Sequence, residues 1–137
     1  MARVLGIDPG TKRCGIAITN AAQSMAFPRP AILRDDMTLV RLSELVDEEE
    51  VGVIVIGRPV ALSGNETAST LDADHFFSQV QQLFEIPVLQ WDERFTTRDA
   101  QKSLSEAGLT AKESRDRLDS AAAVIMLQNY LDGLNAE

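Results

Sequence analysis

The chain has 137 residues, 45% of them hydrophobic and 25% charged, enough to bury one core without disulfides or a structural metal. A single cysteine, Cys14, excludes an internal disulfide framework and a cysteine-based zinc site. No apolar run is long enough to span a membrane and the N-terminus lacks a signal peptide's apolar core, so one cytoplasmic domain over residues 1–137 is expected. The 13 Lys and Arg against 21 Asp and Glu leave a net charge of −8, which as an average argues against nonspecific binding to nucleic acid or an acidic membrane. The average is misleading, because residues 35–50 alone hold seven acids and one base, a net −6. Residues 94–117 hold six bases and four acids, a net +2, so one side of the molecule can still meet a polyanion.

In chain order, residues 3–8 read as a short buried strand ending in Asp8. Asp8-Pro9-Gly10-Thr11 has strong turn chemistry, and residues 14–19 return as a second strand. Residues 25–33 carry Pro28 and Pro30, which fit only an edge strand. Apolar residues at 39, 42, 45 and 46 predict a helix over 37–50. The β-branched run 51–57 predicts a strand covered on both faces, hence a parallel, helix-flanked sheet. A loop over 58–66 leads to a helix over 67–85, with Leu71, Phe76, Phe77, Val80, Leu83 and Phe84 expected on its buried side. Residues 87–91 predict another strand, 97–107 a helix capped by Thr97, and 117–131 a final helix. The order β-β-β-α-β-α-β-α-α describes an α/β fold with a mixed sheet, an antiparallel three-strand meander followed by parallel strands. Its site is expected at the strand carboxyl ends.

Three carboxylates stand at informative places. Asp8 follows a buried strand, where a charge must be exposed, paired or bound to a cation; an Asx-turn cap is the alternative. Glu93 ends the strand at 87–91 beside Asp92 and Arg94, and as a surface residue it would pair with Arg94 or Arg98. Asp119 falls in the first turn of the predicted last helix, where the helix dipole alone would favour an acid. A mixed sheet of this order brings Asp8 and Glu93 to one rim. A last helix packed through Ala122, Ala123, Met126 and Tyr130 would bring Asp119 there too. Converging carboxylates repel unless a cation neutralises them, and all-oxygen sites suit Mg²⁺ or Mn²⁺. Two such ions about 4 Å apart are the usual apparatus of phosphodiester hydrolysis. His75 lies mid-helix without an adjacent Ser or Cys partner, and Cys14 reads as a small buried residue.

The segments GIDPGTKRCGIAI (6–18), VIGRP (55–59) with Gly64 and Glu66 beyond, DERFTT (92–97) and LDSAAAVIMLQNYLD (118–132) resemble the YqgF-type family. These are Holliday-junction-resolvase-like proteins of bacteria, also described as pre-16S rRNA nucleases. The match runs nearly end to end in the family's order. The resemblance implies an RNase H-like fold and a cytoplasmic metal-dependent nuclease. It also implies that Asp8, Glu93 and Asp119 stand at the family's acidic positions. Gly10, Thr11 and Lys12 then read as a phosphate contact, with Arg58, Arg94 and Arg98 as further nucleic-acid contacts. Asp116, three residues before Asp119, is either a fourth carboxylate or a surface residue. The segment Lys112-Glu113-Ser114-Arg115-Asp116-Arg117 is less basic than in many family members, which weakens its pull on a polyanion.

Structured RNA, notably precursor ribosomal RNA, is the first expected substrate, cut by a monomer or homodimer with no membrane partner. Branched DNA is the alternative, and junction cutting requires a symmetric dimer. Two other classes compete: a catalytically silent RNA- or protein-binding module, and an ATP-binding relative of the actin and sugar-kinase group. Against the last, the chain is long enough for only one such domain and has no Walker-type loop.

Overall fold

The computed structural model describes residues 2–59, 63–93 and 111–135, with the side chains of the last segment described over 120–134. Three strands come first: β1 (Arg3–Pro9), β2 (Arg13–Thr19) and β3 (Ala26–Leu33). Helix α1 (Thr38–Glu48), strand β4 (Val51–Arg58), helix α2 (Ala68–Leu83) and strand β5 (Val88–Asp92) follow, and helix α3 (Ala111–Asn135) ends the described chain. The expected helix over 97–107 lies outside the described residues.

The sheet order is β3-β2-β1-β4-β5. β1 pairs antiparallel with β2 and β2 with β3, whereas β4 runs parallel to both β1 and β5. This is the mixed sheet that the element order predicts, an RNase H-like arrangement of meander plus parallel strands. β3 lies at an edge, where Pro28 and Pro30 fit because a proline lacks the N–H that an interior strand would use.

Alternation along β1, β2 and β4 sends side chains to two separate cores, as a sheet buried on both faces requires. One face carries Leu5, Ile7, Ile16, Ile54 and Ile56, covered by Leu42 and Leu45 of α1 and Phe76 and Val80 of α2. The other carries Val4, Ala17 and Val55, covered by Ala123, Met126 and Leu127 of α3. The acidic stretch therefore sits on the α1 face, with Glu44, Asp47 and Glu48 turned to solvent.

Two expectations need correcting. Leu71 and Leu83 are exposed, not buried: the inward stripe of α2 runs through Thr70, Ala73, Phe76 and Val80, Leu71 falls off it, and Leu83 is the last residue of the helix. α3 begins at Ala111 rather than at 117, because Ala111–Arg117 contains only helix-compatible residues and no breaker. Position 119 thus lies in the helix interior, so the dipole of a first turn does not account for an acid there.

α2 starts just after Thr67, its N-cap. Its side chain accepts from the Thr70 backbone N–H while Thr70 reaches back to the Thr67 N–H, a reciprocal cap.

Candidate active site

The site begins with register. Ile7 lies opposite Ile56, and Gly57 lies opposite Trp91, so the carboxyl ends of β1, β4 and β5 reach one rim. Gly6 sits under Leu127 and Gly57 under Met126, which fixes that both glycines face α3. Two-residue alternation then sends Asp8 and Glu93 to the same face, on either side of Gly57. The two carboxyl groups meet in a hydrogen bond. Burial, then that hydrogen bond and the charges of Asp8 and Asp92, push the Glu93 carboxyl well above the usual carboxylate range.

Gly57 makes this pairing possible. A Cβ there would run into Glu93 Oε1, and it would also stand 3.0 Å from Glu93 Cδ and 3.0 Å from Met126 Sδ. Only a residue without a side chain leaves room for the glutamate beneath the helix.

α3 is fixed across this face by polar contacts absent from any sequence pattern. The Ser120 hydroxyl donates to the Arg29 carbonyl at 2.6 Å and accepts from the Ile16 amide at 3.5 Å. Further along, the Gln128 side-chain Oε1 accepts from the Ala26 backbone amide at 3.1 Å. Ile16 pairs with Ile7, one residue before Asp8, whereas Ala26 lies at the far end of the meander. The helix therefore runs back along β1 from the carboxylate rim, and Asp119 immediately precedes the residue anchored nearest that rim. Its side chain lies outside the described residues, as does that of Asp116. The packing face differs slightly from the expected one: Ala121, Ala123 and Met126 are buried, while Ala122 and Tyr130 are only partly so.

Two oxygen donors sharing a proton fit a divalent cation by their chemistry. The pair can ionise fully only when positive charge replaces the proton, and carboxylate oxygens suit a hard ion such as Mg²⁺ or Mn²⁺. Among the described residues, no group of three His, Cys, Asp or Glu side chains is gathered to hold a metal.

The remaining expected contacts divide. Thr11 and Lys12 are exposed beside Asp8 on the β1–β2 connection. Arg58 lies on the α2 face of the sheet, where its guanidinium donates to both Asp74 carboxylate oxygens at 2.9 and 3.1 Å and to Glu66 at 2.8 Å. Arg94 and Arg98 lie outside the described residues. Cys14 is fully buried, and desolvation pushes its thiol up to about 12, as an inert core cysteine requires. His75 is exposed on α2.

Sequence reasoning missed Arg34, which donates to the Gly10 carbonyl at 3.0 Å and is gripped by Asp72. Its only local signal was an arginine just after an edge strand; the meeting with Asp72 on α2 comes from packing.

Among the described residues, a mixed five-stranded sheet with two carboxyl groups at the ends of its parallel strands defines an RNase H-like fold. Residues 2–133 match the family model RuvX, described as Holliday junction resolvase, and the chain belongs to that family. Similar proteins include one from Maridesulfovibrio salexigens, 38% identical over 131 residues, covering 94% of this chain and 97% of that protein. Another, from Corynebacterium jeikeium, is 41% identical over 133 residues, covering 95% and 86%. Both carry the name "Putative pre-16S rRNA nuclease". Among solved structures, Thermus thermophilus RuvC in complex with a Holliday junction aligns with a TM-score of 0.54 at 15% identity, covering 98% of this chain and 96% of that one. The Fowlpox virus resolvase with Holliday junction DNA aligns at 0.55 and 11% identity, covering 96% and 98%. At such identities the likeness concerns the fold.

Proposed function

We propose that this chain is a divalent-metal-dependent endonuclease that hydrolyses phosphodiester bonds of structured RNA, with 5′-end processing of pre-16S ribosomal RNA in the cytoplasm as its reaction. The observation that carries the reading is the Asp8–Glu93 pair, two carboxyl groups held against each other at the strand ends. Asp8 and Glu93, joined by Asp119, would hold Mg²⁺ or Mn²⁺ as a pair of ions. Bound there, the metal supplies Lewis acidity toward a phosphoryl oxygen and lowers the pKa of an attacking water.

The chain's own residues do the rest. Gly57 keeps Glu93 aimed at Asp8 rather than at solvent. The amides of the Gly10–Lys12 segment, the Thr11 hydroxyl and the Lys12 ammonium bind phosphate beside the scissile bond. Arg94 and Arg98 contact the backbone further along. With only 5% aromatic residues, the chain is poorly equipped for base stacking, so shape and phosphate position select the substrate.

A four-way DNA junction is the second reading, favoured by the family's description. The same chemistry would serve it, but paired incisions need two sites and hence a homodimer. The deciding experiment cleaves a labelled panel of precursor rRNA fragment, single-stranded RNA and four-way junction with Mg²⁺ or Mn²⁺, alongside the Asp8→Asn variant. Site-specific cutting of the rRNA fragment, lost in the variant, is expected. Cleavage that persists in Asp8→Asn overturns the assignment of the site. Preferential, paired junction incision by a dimer establishes the second reading, and binding without any cleavage points to a silent module.

A further inference from the structure

Arg34 joins the candidate phosphate loop to a helix on the opposite side of the sheet. Its Nη1 donates to the Gly10 carbonyl at 3.0 Å and to Asp72 Oδ2 at 3.1 Å, and its Nη2 donates to Asp72 Oδ1 at 3.1 Å. The guanidinium carbon lies 4.7 Å from the centroid of the buried Phe76 ring, and the Arg34 backbone N–H donates to the Lys12 carbonyl at 2.9 Å. One residue thus binds the loop at both ends. Asp72 closes the fork that sets its orientation, since a planar guanidinium held by two parallel hydrogen bonds has little rotational freedom left.

The consequence lies in the peptide planes. In a planar trans peptide the carbonyl and the following N–H point in opposite directions. With the Gly10 carbonyl fixed on Arg34, the Thr11 N–H points away from Arg34, out of the buried side of the loop. We infer that Asp72 is a positioning residue for phosphate, acting through Arg34 to hold the Gly10–Lys12 loop with its Thr11 amide, Thr11 hydroxyl and Lys12 ammonium turned to the substrate. This rests on the nuclease reading of the rim. Asp72 itself touches neither substrate nor the carboxylate pair.

The sign of one effect makes the inference testable. Asp72→Asn removes a negative charge, so by electrostatics alone it favours nucleic-acid binding, most at low salt. Positioning predicts the opposite result for productive turnover. In the full-length protein, Asp72→Asn is expected to lower kcat/KM on the cleaved substrate about tenfold, the usual effect of losing a charge-assisted contact that orients a reacting group. Asp72→Glu, which keeps the carboxylate, should recover most of it. Amide hydrogen exchange at Arg34, whose N–H donates to the Lys12 carbonyl, should quicken in Asp72→Asn while exchange in β4 stays as in the wild type. Unchanged or faster cleavage by Asp72→Asn overturns the inference. So does a fall in Tm together with faster exchange across the whole sheet, since that marks a merely structural ion pair. If the wild-type chain cleaves nothing, the nuclease reading has failed on its own, and exchange decides the loop: quickening confined to the Arg34 amide that donates to Lys12 supports its control by Asp72, and unchanged exchange there overturns it.

Discussion

At the carboxyl ends of the strands, the two faces of the sheet treat acids in opposite ways. On the face covered by α1 and α2, Asp72 meets Arg34, and Asp74 and Glu66 meet Arg58, with Gln90 adding a hydrogen bond to Asp74 at 2.9 Å. These acids are neutralised within the protein and tie α2 to the strands. On the face covered by α3, Asp8 and Glu93 meet each other, and burial makes their joint ionisation unfavourable. One arrangement consumes its charge in structure, whereas the other is the proposed cation site. Placement of counter-charge, rather than the number of acids, distinguishes a brace from a candidate metal site.

The largest effect that could break this contrast is that of Asp8→Asn. Cleavage should fall by at least about 10³-fold, the loss of several kcal/mol of metal-derived stabilisation. The metal-free protein should nevertheless melt no lower than wild type, because the asparagine side-chain oxygen can still accept from the protonated Glu93 carboxyl and the charge opposing Glu93 ionisation is gone. A clear loss of Tm would mean that the pair is structural, like those on the other face.

Gly57→Ala comes next. The added methyl meets Glu93 Oε1 and lies near Met126 Sδ, so overpacking should cost about 1–3 kcal/mol by denaturant unfolding. Cleavage should drop even where the variant remains fully folded, since Glu93 must turn from Asp8. Full activity in a folded Gly57→Ala variant would show that the glutamate's placement is unimportant.

Acidity gives a subtler measurement. The Glu93 carboxyl holds its proton more tightly in the folded chain than in the unfolded one, so the folded state binds more protons. Its contribution is therefore present at low pH and is lost as the pH rises above the ordinary glutamate value. The Tm of metal-free protein should decline over that range, less steeply in Asp8→Asn. Saturating Mg²⁺ should flatten the decline, because the ion binds the deprotonated pair. A Tm that ignores both pH and Mg²⁺ would remove the electrostatic basis for the site.

Arg58→Lys should have the smallest consequence. The charge remains while the fork to Asp74 and Glu66 is lost, and partly exposed ion pairs contribute little. Cleavage within about threefold of wild type is expected. A collapse comparable to that of Asp8→Asn would bring the α2 face into the chemistry and dissolve the comparison.

The charge distribution reads differently once the faces are known. Residues 35–50, with six of the eight excess negative charges, lie largely on α1, across the sheet from Asp8 and Glu93. Overall acidity therefore does not repel a polyanion from the rim uniformly.

The sequence by itself determined the order of the described strands and helices, the edge position of the proline-bearing β3, the double burial of β4 and the candidate acids Asp8 and Glu93. Those properties are local, written in alternation, turn residues and β-branched runs within a few positions of one another. It did not determine that Leu71 would be exposed, that α3 would start at Ala111, or that Arg34 and Asp72 would meet beneath Gly10. Those depend on how a helix is rotated and where it ends, which packing decides. The same holds for the central fact of the site. A Glu after one strand and an Asp after another are ordinary surface residues until the parallel register of β4 sets Gly57 between them and leaves no side chain to keep them apart.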